Sequence, residues 1–213
     1  MIADEQGARI WLQNFSGYDV LAEERCAQFC TMLTDENNRQ NLVSSASLNE
    51  IWRRHIADSA QLLCHVSRET IRSWLDLGAG AGFPGIIIAI LQPQTEITLV
   101  ESRSKRIAWL EHLRITLNLD NLQIIGSRLE SIESRHYDVI SARAFAPLDK
   151  LLTLSARFST ATTQFALPKG RMAAQELAAL SSWQHRFHVE PSLTDPEAGI
   201  IIGQLHGKIG KQR

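Results

Sequence analysis

The stretch richest in chemistry is Ser73-Trp-Leu-Asp-Leu-Gly-Ala-Gly-Ala-Gly-Phe-Pro-Gly85. A short apolar run carries one acid, Asp76, and glycines then alternate at Gly78, Gly80 and Gly82. An apolar stretch, Ile86 to Leu91, follows directly. The pattern predicts a strand, a tight glycine turn and a helix. Glycine suits a backbone that takes positive φ or passes close to a ligand. Pro84 suits the first helical turn, where its missing N–H costs nothing. The helix start then aims free N–H groups at the crevice beyond the strand's carboxyl end, where open α/β sheets bind ligands. Gly80, Gly82 and Gly85 alone satisfy G-x-G-x-x-G, a pattern shared with dinucleotide sites and weak by itself.

Charged residues recur at the ends of later strands. Glu101 closes the second predicted strand, where a carboxylate accepts hydrogen bonds from both ribose hydroxyls of an adenosine. That role suits a nucleoside ligand without choosing between NAD and its alternatives. Arg143 follows the fourth strand, within Tyr137-Asp-Val-Ile-Ser-Ala-Arg-Ala-Phe-Ala-Pro147, and Lys169 ends the fifth in Pro168-Lys-Gly170. Two cations facing one crevice suit an anionic substrate or the O6/N7 acceptor edge of guanine. Ser102-Arg-Ser-Lys-Arg106 reads as a solvated charged turn.

These residues need a scaffold of alternating elements. Strands are predicted at 73–77, 96–100, 122–125, 137–141 and 163–167, and helices at 84–91, 104–117, 147–158 and 172–182. The alternation argues for a parallel sheet with helices on both faces. Phe187–Glu190 and Gly199–His206 have no helix between them and are expected to pair as an antiparallel hairpin at the sheet edge. Upstream, Ile10, Leu12 and Phe15, then Val20 to Leu33, show helical spacing with a break at Gly17. Asn37, Asn38 and Asn41 suggest a helix end, and Leu48 to Leu63 forms another apolar stripe. The chain is therefore divided into a helical extension, 1–65, and an α/β domain, 66–213.

The pattern Asp76-x-Gly78-x-Gly80-x-Gly82 resembles motif I of the class I S-adenosylmethionine (SAM)-dependent methyltransferases. The resemblance implies their Rossmann-like fold, with a seven-stranded sheet whose last strand is antiparallel. It also implies that Asp76, Gly78, Gly80 and Gly82 meet the cofactor, with Asp76 facing its amino-acid end. SAM offers an ammonium and a sulfonium there, not a pyrophosphate. In that fold the turn after the third strand lies beside the adenine, which makes Leu129 and Glu130 candidates.

Composition narrows the rest. The chain has 213 residues, 44% hydrophobic and 21% charged, the balance of an ordinary globular protein. No apolar run approaches the ~20 residues of a membrane span, and the N-terminus lacks the pattern of a signal peptide. A cytoplasmic protein without a membrane partner is expected, and it is read as a monomer. A net charge of −1 gives no global footprint for nucleic acid, so such a partner needs a local basic patch. The three cysteines form no C-x-x-C and the seven histidines no H-x-x-x-H. No metal site is expected, and the cysteines read as half-buried helix residues.

Together the segments resemble the RsmG family, also called glucose-inhibited division protein B. The matching stretches are Asn41–Ser44, Arg54-His55-Ile-x-Asp58-Ser59, Asp76–Gly85, Val100-Glu-Ser102 with Lys105-Arg106, Arg128–Glu130, Ala142–Ala144 with Ala146–Leu148, and Pro168–Gly170. The resemblance implies methylation of guanine N7 in a loop of 16S small-subunit rRNA, on the free RNA or on the subunit. It implies SAM contacts at Gly78, Phe83, Leu129, Glu130 and Arg143, with Glu101 on the ribose. It places Arg54, His55, Arg143 and Lys169 on the RNA-facing side, with Arg143 or Lys169 fixing the base through O6. Where the family often has Trp this chain has Glu36, and Gln40 replaces an apolar residue. A loosely packed or shortened helix is expected there. A SAM-dependent methyltransferase acting on another RNA, a protein or a small molecule, an NAD-dependent oxidoreductase, and a non-enzymatic adenosine-binding module are the rival readings.

Overall fold

The computed structural model describes residues 1–209. The chain opens with α1 (Glu5–Gln13), α2 (Val20–Gln40) and α3 (Ser45–Leu48). Asp19 caps α2 by accepting the Ala22 N–H at 2.8 Å. The apolar stripe after Leu48 becomes one helical run of three kinds: a π-helical segment (Trp52–Ala57), α4 (Asp58–Ala60) and a 3-10 turn (Gln61–His65). The predicted helix end at the asparagines lies later than Asn37. α2 continues through Glu36 to Gln40, and Asn41 ends it at φ 49°. The polar departures do not shorten it, because they bond to each other. Gln40 Nε2 donates to Glu36 Oε1 at 2.6 Å and to the Lys105 carbonyl at 3.2 Å.

Alternation then sets in: β1 (Ser73–Leu77), α5 (Gly85–Leu91), β2 (Glu96–Glu101), α6 (Ser104–Thr116), β3 (Leu122–Gly126), β4 (Val139–Ala142), α7 (Leu148–Ser155), β5 (Gln164–Gly170) and α8 (Ala173–Ala178). Three strands follow: β6 (Trp183–His185), β7 (His188–Pro191) and β8 (Gly199–Lys208). The sheet runs β3-β2-β1-β4-β5-β8-β6, with β7 also paired to β8. β1 to β5 are parallel, and β8 is antiparallel to β5.

The sheet therefore has eight segments where seven strands were expected. His185 opposes Leu205 and His188 opposes Ile202. β6 and β7 thus keep one register along β8, as a single edge strand interrupted at Arg186 and Phe187. The helix predicted to reach 182 stops at Ala178, and Trp183 already begins the edge.

Strand periodicity assigns the two faces. Trp74 packs with Phe29, Leu33, Ile56, Ile86 and Trp109, so the N-terminal helices share a core with α5 and α6. Leu75 and Leu77 pack on the other face with Leu151, Phe158, Phe165 and Trp183. α5 is buried on every side, as expected of a helix apolar all round. Cys26 is buried, Cys30 half-buried and Cys64 exposed. No helix among the described residues is long and apolar enough to cross a membrane.

Candidate active site

β1 lies between β2 and β4, with Leu77 opposite Val100 and Ala142. The chain winds outward in opposite directions from this pair, so the crevice beyond β1 and β4 is the sheet's switch point. Gly78 leaves one strand end there and Arg143 the other. The loop after β1 is fastened on several sides. The N–H groups of Gly78 and Ala79 donate to the Val100 carbonyl at 2.9 and 3.1 Å. Gly80 N donates to Glu101 Oε2 at 3.1 Å, and Trp109 Nε1 to the Ala81 carbonyl at 3.0 Å.

Two glycines here have different reasons. Gly78 sits at φ +69°, and a Cβ on it would fall 2.5 Å from the Phe145 ring. Gly85 needs no unusual φ. A Cβ there would run into Leu99 and Asp76, so it serves the close approach of helix to strand. Pro84 follows a cis peptide bond and stands just before the helix, as its N-cap rather than in its first turn.

Asp76 does not reach the crevice expected of it. Its side chain points to the helix layer and is fully buried. Oδ1 accepts from Ser141 Oγ at 2.7 Å and Oδ2 from Gly85 N at 3.1 Å. Ser141 Oγ in turn accepts from Trp74 Nε1 at 2.8 Å. Burial raises the Asp76 carboxyl to about 6 against those hydrogen bonds. The acid supports the glycine loop from beneath.

A first cavity of about 400 Å³ is lined by Gly78, Glu101, Arg103, Leu129, Glu130 and Phe145, among others. Glu101 is nearly buried. Its Oε1 accepts from Ser102 N and Arg103 N at 2.7 and 2.9 Å, and its Oε2 from Gly80 N. A carboxylate has about four acceptor sites, so Glu101 keeps room for one further strong hydrogen bond, not two. The Leu129 turn is held by Arg157, whose Nη2 donates to the Leu129 carbonyl. The turn at Ser102–Arg106 is not merely solvated, since Arg103 and Arg106 line this cavity.

A second cavity of about 320 Å³ meets the first at Gly78 and is lined by Val43, Ser47, His55, Phe83, Arg106 and Arg143, among others. Its outer loop is fixed by Asn37, whose Oδ1 accepts from Val43 N at 2.8 Å. Phe83 forms a wall, its ring stacked on His55 with centroids 4.7 Å apart and planes at 15°. His55 was expected on the RNA-facing side, yet it is 3% exposed. The π-helical segment turns it inward, where Arg143 Nη2 donates to its Nδ1 at 2.8 Å. Burial, then the charges of Arg143 and Arg54, lowers its pKa to about 3.

A third cavity of about 660 Å³ opens on the far side of Arg143, with Arg53, Arg54, Asp58, Lys169, Glu176 and Asp195 among its walls. Arg54 is half-exposed at its rim, 3.6 Å from Glu50 Oε2. Lys169 is mostly committed. Its Nζ donates to the Ala146 carbonyl at 2.7 Å and to Glu176 Oε2 at 2.9 Å, leaving one N–H of its ammonium. Its first task is to brace the segment between β4 and α7. Ala144, at φ 51°, lines all three cavities.

Three residues at the site were not singled out from sequence. Asp58 Oδ2 lies 3.6 Å from Arg143 Nη1, and its Oδ1 accepts from Gln61 and Thr194. Its place in Arg54-His55-x-x-Asp58 was the available signal. Phe145 lies over Gly78, and Ser141 links Asp76 to Trp74. Neither has a signal in the sequence. Among the described residues no cluster of His, Cys, Asp and Glu has the makings of a metal site.

The walls fit SAM, the cofactor implied by the resemblance. The loop leaves at Gly78 a space that a Cβ would occupy. Glu101 presents a carboxylate to one cavity. In the other, His55 Nε2 and Arg143 Nη1 are buried nitrogens without a hydrogen-bond partner.

Known proteins resemble this chain in sequence and in fold. A family model described as rRNA small subunit methyltransferase G matches residues 22–192. A ribosomal RNA small subunit methyltransferase G from Erythrobacter litoralis is 56% identical, covering 98% of this chain and 100% of the relative. One from Novosphingobium aromaticivorans is 54% identical, covering 96% and 90%. Among solved structures, an O-methyltransferase from Bacillus cereus in complex with SAH superposes with a TM-score of 0.57 at 13% identity, over 83% of this chain and 90% of that one. A precorrin-6y C5,15-methyltransferase from Geobacter metallireducens gives 0.54 at 11% identity, over 78% and 92%. Those two likenesses establish the methyltransferase fold. With the family model matching residues 22–192 and these relatives spanning nearly its whole length, the chain belongs to the rRNA small subunit methyltransferase G family.

Proposed function

We propose that this protein transfers the methyl group of SAM to N7 of a guanine in the 16S rRNA of the small ribosomal subunit. The observation that carries this reading is the position of Arg143 and Ala144. Both line the second cavity, beside the glycine loop, and the third cavity, where Arg53, Arg54 and Lys169 stand beside Asp58, Glu176 and Asp195. Bound in the first two cavities, SAM supplies an electrophilic methyl group. Gly78, Glu101, Leu129 and Glu130 hold its nucleoside, and Phe83, His55 and Arg143 lie at the other end.

Guanine N7 carries a lone pair and no proton, so no residue is needed as a base. The protein's task is orientation. Arg143, at the border, suits the O6 acceptor beside N7. It acts there rather than at N7, where positive charge develops. Lys169 and Glu176 hold the segment that carries Arg143 and Phe145. N7 is hindered in the deep major groove of an A-form helix, so the target is an unpaired or extruded guanine. Arg54, exposed at the rim, is the cation placed for its phosphates, whereas Arg53 is tied to Glu50 and the Ala3 carbonyl. In this reading the enzyme works as a monomer in the cytoplasm, where ribosomal subunits are assembled.

The test uses purified protein, methyl-labelled SAM, and unmethylated small subunits beside stripped 16S rRNA, followed by nucleoside mapping. Label in 7-methylguanosine at a single site is expected. Label on another base, or on protein alone, would overturn the substrate assignment. The better of the two RNA substrates tells when in assembly the enzyme acts.

A further inference from the structure

His55 has two nitrogens with different fates. Arginine only donates hydrogen bonds, so the contact from Arg143 Nη2 makes His55 Nδ1 an acceptor. The ring is then neutral, with its proton on Nε2. Burial and the neighbouring cations favour the same state. The ring face is covered by Phe83. Nε2–H, however, is buried without a hydrogen-bond partner, and Nη1 of Arg143 makes no hydrogen bond either, with Asp58 Oδ2 3.6 Å away. Buried donors left unpaired are rare and call for a partner.

Both residues line the cavity on the far side of Gly78 from Glu101 and Leu129. If the nucleoside lies by Glu101, this is the place of the methionine end, with its carboxylate. The acid expected to meet that end, Asp76, is turned away beneath the loop. What remains unpaired is a pair of buried donors, one neutral and one cationic, with the Arg54 and Arg106 side chains on the same walls. That set matches an anion.

We propose that His55 anchors the cofactor directly: its Nε2–H donates to the carboxylate at the methionine end of SAM, while its Nδ1 keeps Arg143 beside the same group. This rests on the SAM site proposed above. His55 thereby leaves the RNA-facing set and becomes a link between cofactor and Arg143.

The test compares S-adenosylhomocysteine, which carries the amino-acid end, with 5′-methylthioadenosine, which lacks it. Calorimetric titration of His55→Phe, which keeps the stack on Phe83, should show S-adenosylhomocysteine weakened by about ten- to a hundredfold, the effect of one lost hydrogen bond to a charged group. The affinity for 5′-methylthioadenosine should stay unchanged. His55→Gln, with an N–H donor at a similar reach, should recover part of the loss. Equal weakening of both compounds, or of neither, would overturn the proposal. A wild-type protein that binds neither compound would overturn the cofactor site and this inference together.

A second measurement needs no variant. Long-range ¹H–¹⁵N spectra of the wild-type protein should show His55 as the Nε2–H tautomer. Its Nε2 signal should move on adding S-adenosylhomocysteine and not on adding 5′-methylthioadenosine. An unmoved signal in saturated protein would equally sink the idea.

Discussion

Asp76 accepts the backbone N–H of Gly85 across the glycine loop at 3.1 Å, so the strand that starts the loop also holds the helix that ends it. The carboxylate lies in the protein interior, and burial raises its pKa from 3.8 to about 6. The sign follows from linkage. The folded state binds this proton more tightly than the unfolded state, so the Asp76 contribution to stability falls as pH rises from about 4 to about 6. Above that it stays constant. Asp76→Asn should remove this part of the profile. Unfolding of both proteins in urea, between pH 4 and 7, should differ by a pH-dependent share of up to about 3 kcal/mol. A pH-independent difference would contradict the raised pKa.

Gly78→Val should abolish S-adenosylhomocysteine binding. The substitution strains a backbone at φ +69° and drives a side chain into Phe145. Gly85→Ala should act on stability instead, by about 1–3 kcal/mol, since its new methyl group meets Leu99. Titration and thermal unfolding of the two variants separate the effects.

Lys169→Ala should lower methyl transfer to RNA by about a hundredfold, the scale of a misplaced reacting geometry. Affinity for S-adenosylhomocysteine should hold. Glu176→Gln should do the same more mildly, because Glu176 also accepts from Leu148 N at 2.7 Å. The pair acts as one brace, so the double variant should be non-additive by about 0.5–3 kcal/mol in unfolding free energy. Additivity would show that the two side chains act separately.

Arg54→Gln should weaken RNA binding across sequences. The slope of log affinity against log salt should become shallower by about one. Filter binding at several salt concentrations reads this directly. An unchanged slope would take Arg54 off the phosphate path.

Much of the frame was legible from local pattern alone. The acid–glycine stretch and the apolar run after it define β1, the loop and α5, because strand, turn and buried helix each have a short-range signature. The alternation that follows, the Gly17 break and the pairing of 187–190 with 199–206 were legible for the same reason. The strand ends then placed Gly78, Glu101 and Arg143 around one crevice.

What each side chain does there was decided by partners remote in sequence. Arg143 meets His55 from the other end of the fold, and Gln40 reaches the Lys105 carbonyl. Lys169 spends its ammonium on Ala146 and Glu176, and Asp76 turns inward to Ser141 and Gly85. Residue type and spacing determined which groups stand near the site. Only tertiary packing decided which are free for a ligand, because a hydrogen bond is fixed by distance and direction in space, and neither is written in the order of residues along the chain.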